Sequence, residues 1–280
     1  MVNKKEIQKL YFSLTNFEAQ TIERLRLGYT NYTYLINNKH VLRFKRKVVD
    51  SFYDSFLESK IIKAIENLKI SEKVIYFDQK KGIKLSNYIP KTKKIITLPT
   101  NKQLKFVAST LKKLHQAKIE TGVSFDVVKR LLYYKSQCSD FVDKNYETQV
   151  IKQAERIYSL YPSVLCHNDV VRGNLLFRPN KVYLIDFEYA SDNIPLFDLA
   201  SFLSENTIED ELTRKAFLKF YFKRKCDEKI YYHLLKIIEL QDILWYYWAQ
   251  MYYIKTKDET YKKITHLKWQ AILKNKTLNK

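Results

Sequence analysis

Chain breakers are scarce: four Gly and five Pro in 280 residues. That leaves little room for a flexible linker, and no internal repeat or low-complexity tract is present. Cysteine is rarer still, at Cys138, Cys166 and Cys226. An odd count with no metal-ligand spacing excludes a disulfide framework and a cysteine zinc site, so these read as free thiols in a reducing compartment. The first residues lack the apolar core of a signal peptide. The most apolar stretch, 230–254, carries Lys236, Glu239 and Asp242, which argues against membrane insertion. A cytoplasmic protein is expected. The G-x-x-x-x-G-K phosphate loop is missing too, which excludes the P-loop route to nucleotide binding.

Acid is also in short supply. Thirty Asp and Glu face fifty Lys and Arg, for a net charge of +20. Such an excess raises the question of nucleic acid. The lysines are dispersed, however, and the densest basic group, 43–47, falls in a predicted strand. No nucleic-acid module is present, so only non-specific, salt-dependent association is expected. The same field attracts anionic ligands. The length suits one large or two modest domains.

What is present is a constellation suited to phosphoryl transfer. The stretch 166–174 reads Cys-His-Asn-Asp-Val-Val-Arg-Gly-Asn, an H-x-D-x-x-x-x-N array holding His167, Asp169 and Asn174. An apolar strand at 182–185 then leads to Asp186. Transfer from ATP needs one carboxylate to orient a hydroxyl and accept its proton. It also needs an amide oxygen and a second carboxylate to hold Mg²⁺ against the phosphates. Asp169 fits the first role; Asn174 and Asp186 fit the second. Cys166 is expected to be buried at the end of a strand spanning 162–166. A hairpin of strands 175–177 and 182–185, turning at Pro179-Asn180, should place the three residues around one cleft.

The pattern along the chain agrees. A helix is expected at 4–16, then a meander of strands at 22–27, 32–36 and 41–44, with turns at 28–31 and 37–39. A helix follows at 50–68, with Phe52, Phe56, Ile61, Ile62 and Ile65 as its apolar residues. Two more strands are expected at 74–77 and 83–86. From about residue 101 the pattern is mostly helical, broken by the hairpin.

Downstream of Asp186 the sequence continues as Phe-Glu-Tyr-Ala-Ser-Asp-Asn, then Phe197-Asp198 and Glu205. The block of roughly 40 residues resembles the choline/ethanolamine kinase family, among the aminoglycoside phosphotransferase-like kinases. The resemblance implies an α+β, bilobal protein kinase-like fold. An N-lobe at 1–90, with an antiparallel sheet and one helix, would bind nucleotide. A larger, mainly helical C-lobe at 91–280 would carry the catalytic loop and bind the acceptor. It also implies transfer of the ATP γ-phosphate to a small alcohol.

On the nucleotide side, the resemblance places a phosphate-covering turn at Gly28, Thr30 and Asn31. It places a phosphate-binding cation at Arg43 on the third strand, paired with Glu58 on the following helix. Lys45 shares that strand face and is the substitute. Adenine would meet the backbone near Tyr88 and Ile89. His167 would orient the catalytic loop, and Arg172 would reach the γ-phosphate. Asp198 would tie a helix to the loop or cap that helix. Glu188 is a candidate for the metal or the acceptor.

On the acceptor side, a quaternary ammonium offers no N–H donor and is best held by aromatic faces with a carboxylate nearby. Trp245 and Trp248, three apart in a helical stretch, share one face, and Tyr252 follows on the same side. The resemblance assigns Tyr189, Glu205, Trp245, Trp248 and Tyr261 to the acceptor pocket. Core packing is the competing reading, since the chain has 22 Tyr and 16 Phe. Choline is the expected acceptor, with ATP and Mg²⁺. The alternatives are ethanolamine, thiamine, a sugar or an aminoglycoside, or a non-catalytic binding protein on the same scaffold. The intact Asp169, Asn174 and Asp186 argue against the last.

Overall fold

The computed structural model describes residues 2–25, 30–46, 50–93 and 98–278. The chain divides into two compact units: 1–119 with 171–190, and 120–170 with 191–280. The cut expected at residue 90 is drawn on function, nucleotide against acceptor, and not on compactness.

In the first unit, α1 (Lys4–Thr15) starts at a capping box in which Asn3 and Glu6 satisfy each other's backbone N–H groups. Ile7 and Tyr11, four residues apart, are its buried face. They pack on Tyr34, Ile36, Leu42, Phe44 and Leu85. Those residues belong to an antiparallel sheet of β1 (Ile22–Leu25), β2 (Asn31–Ile36), β3 (His40–Lys45), β4 (Val74–Asp78) and β5 (Ile83–Asn87), in the order β1-β2-β3-β5-β4. Side chains alternate across a strand, so Leu42 and Phe44 face α1 while Arg43 and Lys45 face the other way. Lys84, opposite Arg43 in the β3–β5 register, joins that second face.

The helix expected at 50–68 is shorter at its start. Asp54 caps it through the N–H groups of Phe56 and Leu57, so α2 runs Ser55–Ile65, followed by a 3-10 turn at Glu66–Leu68. Phe52 precedes the cap. Phe56, expected on the apolar face, is 57% exposed. The helix instead buries Glu58 and Ser59 with Ile61 and Ile65. Further on, α3 (Asn101–His115) opens on a Thr100–Gln103 capping box. The hairpin β7 (Leu175–Arg178) and β8 (Lys181–Leu184) completes the unit.

The second unit is mainly helical. It holds α4 (Val127–Lys135), α5 (Lys144–Tyr158), α6 (Pro195–Glu205), α7 (Glu211–Phe222), α8 (Glu228–Thr256) and α9 (Glu259–Leu278). Asp126, Asp143, Asp210 and Asp227 cap α4, α5, α7 and α8 through their side chains. A two-stranded ribbon pairs β6 (Val164–Cys166) with β9 (Ser191–Asn193), and Cys166 is fully buried in it. The 29-residue α8 is buried over nearly its whole central length, including Lys236, Glu239 and Asp242. Among the described residues, no helix is long and apolar enough to cross a membrane.

Candidate active site

In the first unit, charged side chains converge on the sheet face opposite α1. Arg43 donates from one nitrogen to Glu58 at 2.7 Å and from another to Asp186 at 2.6 Å. Burial alone would lower the guanidinium's hold on its proton. Glu58 and Asp186 more than reverse this, and its pKa is raised. Burial would likewise raise the Glu58 carboxyl, but Arg43 and Lys84 bring it below its ordinary value. Tyr53 donates its hydroxyl to Glu58 at 2.9 Å. The strand cation and helix glutamate expected from the sequence are thus in contact.

Lys45 pairs with Glu188 rather than substituting for Arg43. Its ammonium also lies 3.5 Å from the centroid of the Tyr53 ring. Thr30 donates to Glu188 at 2.7 Å and Asn31 at 3.2 Å. Burial raises the Glu188 pKa, with Lys45 opposing. Asn31 also reaches Asp186, at 3.5 Å. Thr30, Asn31, Arg43, Glu58, Asp186 and Glu188 therefore form one polar cluster. Gly28, expected in the same turn, lies outside the described residues.

The hairpin builds the rest of this half. Asn174 ends a 3-10 turn that begins at Arg172, and its carbonyl accepts the N–H of Ile185 at 3.0 Å. That bond ties Asn174 to the residue before Asp186. Asp186 itself has φ 68°, a left-handed conformation that Asp tolerates better than most side chains. Tyr189, expected at the acceptor, donates its hydroxyl to Asp50 at 3.2 Å. Tyr88 and Ile89 follow β5. The Tyr88 N–H is taken by the Lys39 carbonyl at 2.9 Å. Together with Ile62, Tyr76 and Tyr183 they line an open groove of about 860 Å³.

The second unit holds His167 and Asp169. Asp198, in the first turn of α6, accepts the backbone N–H groups of His167 at 2.8 Å and Asn168 at 2.7 Å. It is fully buried and acts as the loop tie, not as the helix cap. Ser201, three residues on, accepts the Val170 N–H at 3.0 Å. The imidazole of His167 accepts the Asp169 N–H at 3.3 Å. Asp169 is half-buried at the end of this pinned segment.

The expected aromatic residues also cluster in this unit. Trp245 and Trp248 meet edge-on with centroids 6.0 Å apart. Trp248 lies 4.9 Å from Tyr252 and 5.5 Å from Tyr261, and the two tyrosines stack at 5.1 Å. Glu205 ends α6, where it accepts from Lys268 on α9. Neither Lys268 nor Asp242, its second partner, is signalled by any local pattern. They meet only because α8 and α9 fold back on one another.

A strand cation held by a helix glutamate, a hairpin carrying an Asn and an Asp, and a pinned H-x-D loop are the parts of a phosphoryl-transfer enzyme. On an α+β scaffold they define a bilobal kinase-like phosphotransferase. A family model described as choline/ethanolamine kinase matches residues 22–272. Protein LicA of Haemophilus influenzae is 27% identical over 252 residues, 80% of this chain and 71% of that protein. The structure of choline kinase LicA from Streptococcus pneumoniae superposes with a TM-score of 0.82 at 24% identity, over 97% of this chain and 98% of the other. A choline/ethanolamine kinase family protein from Mesorhizobium loti gives 0.81 at 16% identity, over 98% and 94%. At those identities the two structures speak for the fold. This chain belongs to the choline/ethanolamine kinase family, and is an ATP-dependent phosphotransferase with a small alcohol as acceptor.

Proposed function

We propose that the acceptor is choline and the product phosphocholine. The observation that carries this reading is the wall formed by Trp245, Trp248, Tyr252 and Tyr261, with the carboxylate of Glu205 in the same unit. Aromatic faces hold a quaternary ammonium that no hydrogen-bond acceptor can hold. On the family resemblance, Tyr189 is assigned to the acceptor as well. Relatives whose names include a choline kinase support the same reading.

In the reaction, the choline oxygen attacks the γ-phosphorus and the bond to the β-phosphate oxygen breaks, so ADP leaves with that electron pair. Asp169 orients the hydroxyl and takes its proton as the new bond forms. His167 and Asp198 hold the loop that presents Asp169. Arg43, fixed by Glu58, faces the α- and β-phosphates; Thr30, Asn31 and Gly28 cover them, and Arg172 reaches the γ-phosphate. Adenine sits against the backbone of Tyr88 and Ile89. Residues 1–90 form the nucleotide lobe and 91–280 the catalytic and acceptor lobe.

The side chains of Asn174, Asp186 and Glu188 supply hard oxygen donors, the set that suits Mg²⁺. The buried Oδ1 of Asn31, which has no hydrogen bond among the described residues, adds another beside Asp186. Asn174 and Asp186 would hold the ion, with Glu188 next to them. Mg²⁺ would supply neutralisation of the phosphate charge. Use of ATP supports a cytoplasmic location.

Ethanolamine is the second reading. Glu205 already accepts from one primary ammonium, that of Lys268, so it suits another. The test is ADP release from Mg-ATP with choline, ethanolamine, thiamine or kanamycin, against a control without acceptor. Choline-dependent release supports the reading. Release with ethanolamine alone replaces choline, and release with kanamycin alone discards the aromatic pocket.

A further inference from the structure

Lys268 is an unexpected residue at the acceptor end. It is 8% exposed on α9, and its ammonium binds two carboxylates at once. One is Glu205 at the end of α6; the other is Asp242 on α8, at 3.0 Å. Asn275 takes the other oxygen of Asp242 at 3.1 Å. Asp242 is three residues before Trp245 on α8, and Lys268 seven residues after Tyr261 on α9. Both spacings keep one helix face. The charged triad therefore continues the aromatic wall of Trp245, Trp248 and Tyr261.

Burying three ionised groups is costly, and an apolar trio of similar size is often as stable or more so. Packing alone gives α8 and α9 no reason for a lysine here. The charges do have a use if the site needs one carboxylate held still and a second one cancelled. The hydrogen bonds to Glu205 from Ser204 and Lys268 both end on Oε1. Among the described residues none reaches Oε2. The Glu205 side chain is also the most exposed of the three, at 18% against 10% and 6%. Glu205 Oε2 is thus the part of the triad open to a ligand.

We propose that Lys268 is a positioning and specificity residue: it fixes Glu205 and cancels Asp242, so that the acceptor end presents one net negative charge and selects a monocationic amino alcohol over a polycation. Burial would lower the Lys268 pKa, but Glu205 and Asp242 raise it, so the ammonium stays charged through the working pH range. This inference rests on the amino-alcohol reading above and names its charge class.

The test compares wild type with Lys268→Met and Lys268→Arg in the full-length protein. Acceptors are choline and a bis-quaternary analogue bearing a second trimethylammonium on a short arm. Loss of a neighbouring charge in a partly screened site predicts about a tenfold change in acceptor KM. Lys268→Met leaves two carboxylates, and the added negative charge should raise the dication-to-monocation ratio of kcat/KM about tenfold with the ATP KM unchanged. Lys268→Arg should restore the ratio. If Lys268→Met does not fold, Asp242→Asn carries the test. It leaves Lys268 and Glu205 as a neutral pair and should raise the choline KM about tenfold with the ATP KM unchanged. A folded Lys268→Met or Asp242→Asn with wild-type choline KM and selectivity makes Lys268 a structural tie and overturns the proposal. Wild-type protein that phosphorylates no amino alcohol instead overturns the reading beneath it.

Discussion

Arg43 carries two carboxylates at once, and the one it shares with the hairpin, Asp186, sits on a left-handed residue. Holding that conformation costs about 1 kcal/mol, offset by the bonds made there. Glu58 is the fixed end of the arrangement. Removing it takes one of the two carboxylates from a buried guanidinium, so Glu58→Ala should destabilise the first unit by about 3 kcal/mol, read from denaturant unfolding. The pH dependence follows from the lowered Glu58 pKa. The unfolded chain binds this proton more readily than the folded protein. The stabilisation is therefore complete above the ordinary value of 4.5 and lost as the pH falls through the lower folded value. The Tm gap between wild type and Glu58→Gln should be widest near neutrality and close in acid. A gap independent of pH would contradict the assignment. The H-x-D loop was legible as a local pattern, and the strand cation and its glutamate only through the family resemblance. The contacts of Lys45 with Glu188 and of Lys268 with Glu205 join residues 143 and 63 apart, which no local period reports.

At the scale of elements, α6 pins the H-x-D loop and the α8–α9 hairpin builds the aromatic wall. Asp198 accepts two buried backbone N–H groups, so Asp198→Ala removes an acceptor from each. The expected cost is about 2–4 kcal/mol, with kcat falling and the ATP KM little changed. Unchanged stability would mean the loop is held by other contacts. Trp248→Leu keeps an apolar, though smaller, side chain and removes the π face. It should raise the choline KM about tenfold and the ATP KM little. Equal effects on both, with lost stability, would return the tryptophans to the core. Element boundaries were read less well than element types. The Asp54 cap moves the start of α2 to Ser55, and the apolar periodicity extended the helix past it. The polar run Ser191–Asn193 gave no strand signal, because β9 exists only through its pairing with β6.

Over the whole molecule, the +20 charge is spread among dispersed lysines, and many of the buried cations are paired internally. The remaining field should favour ATP over its uncharged competitors. Raising salt from about 50 to about 300 mM should therefore raise the ATP KM severalfold while kcat holds. A flat response would make the charge a matter of composition alone. The central claim is transfer of the γ-phosphate to choline with Asp169 as the proton acceptor. It is tested most directly by ³¹P NMR of Mg-ATP and choline incubated with wild type or Asp169→Ala. Wild type should build a phosphocholine resonance as that of ADP grows. The variant should do so about a thousandfold more slowly while still binding Mg-ATP. Phosphocholine formed at the wild-type rate by Asp169→Ala, or ADP formed by wild type without phosphocholine, would contradict the account.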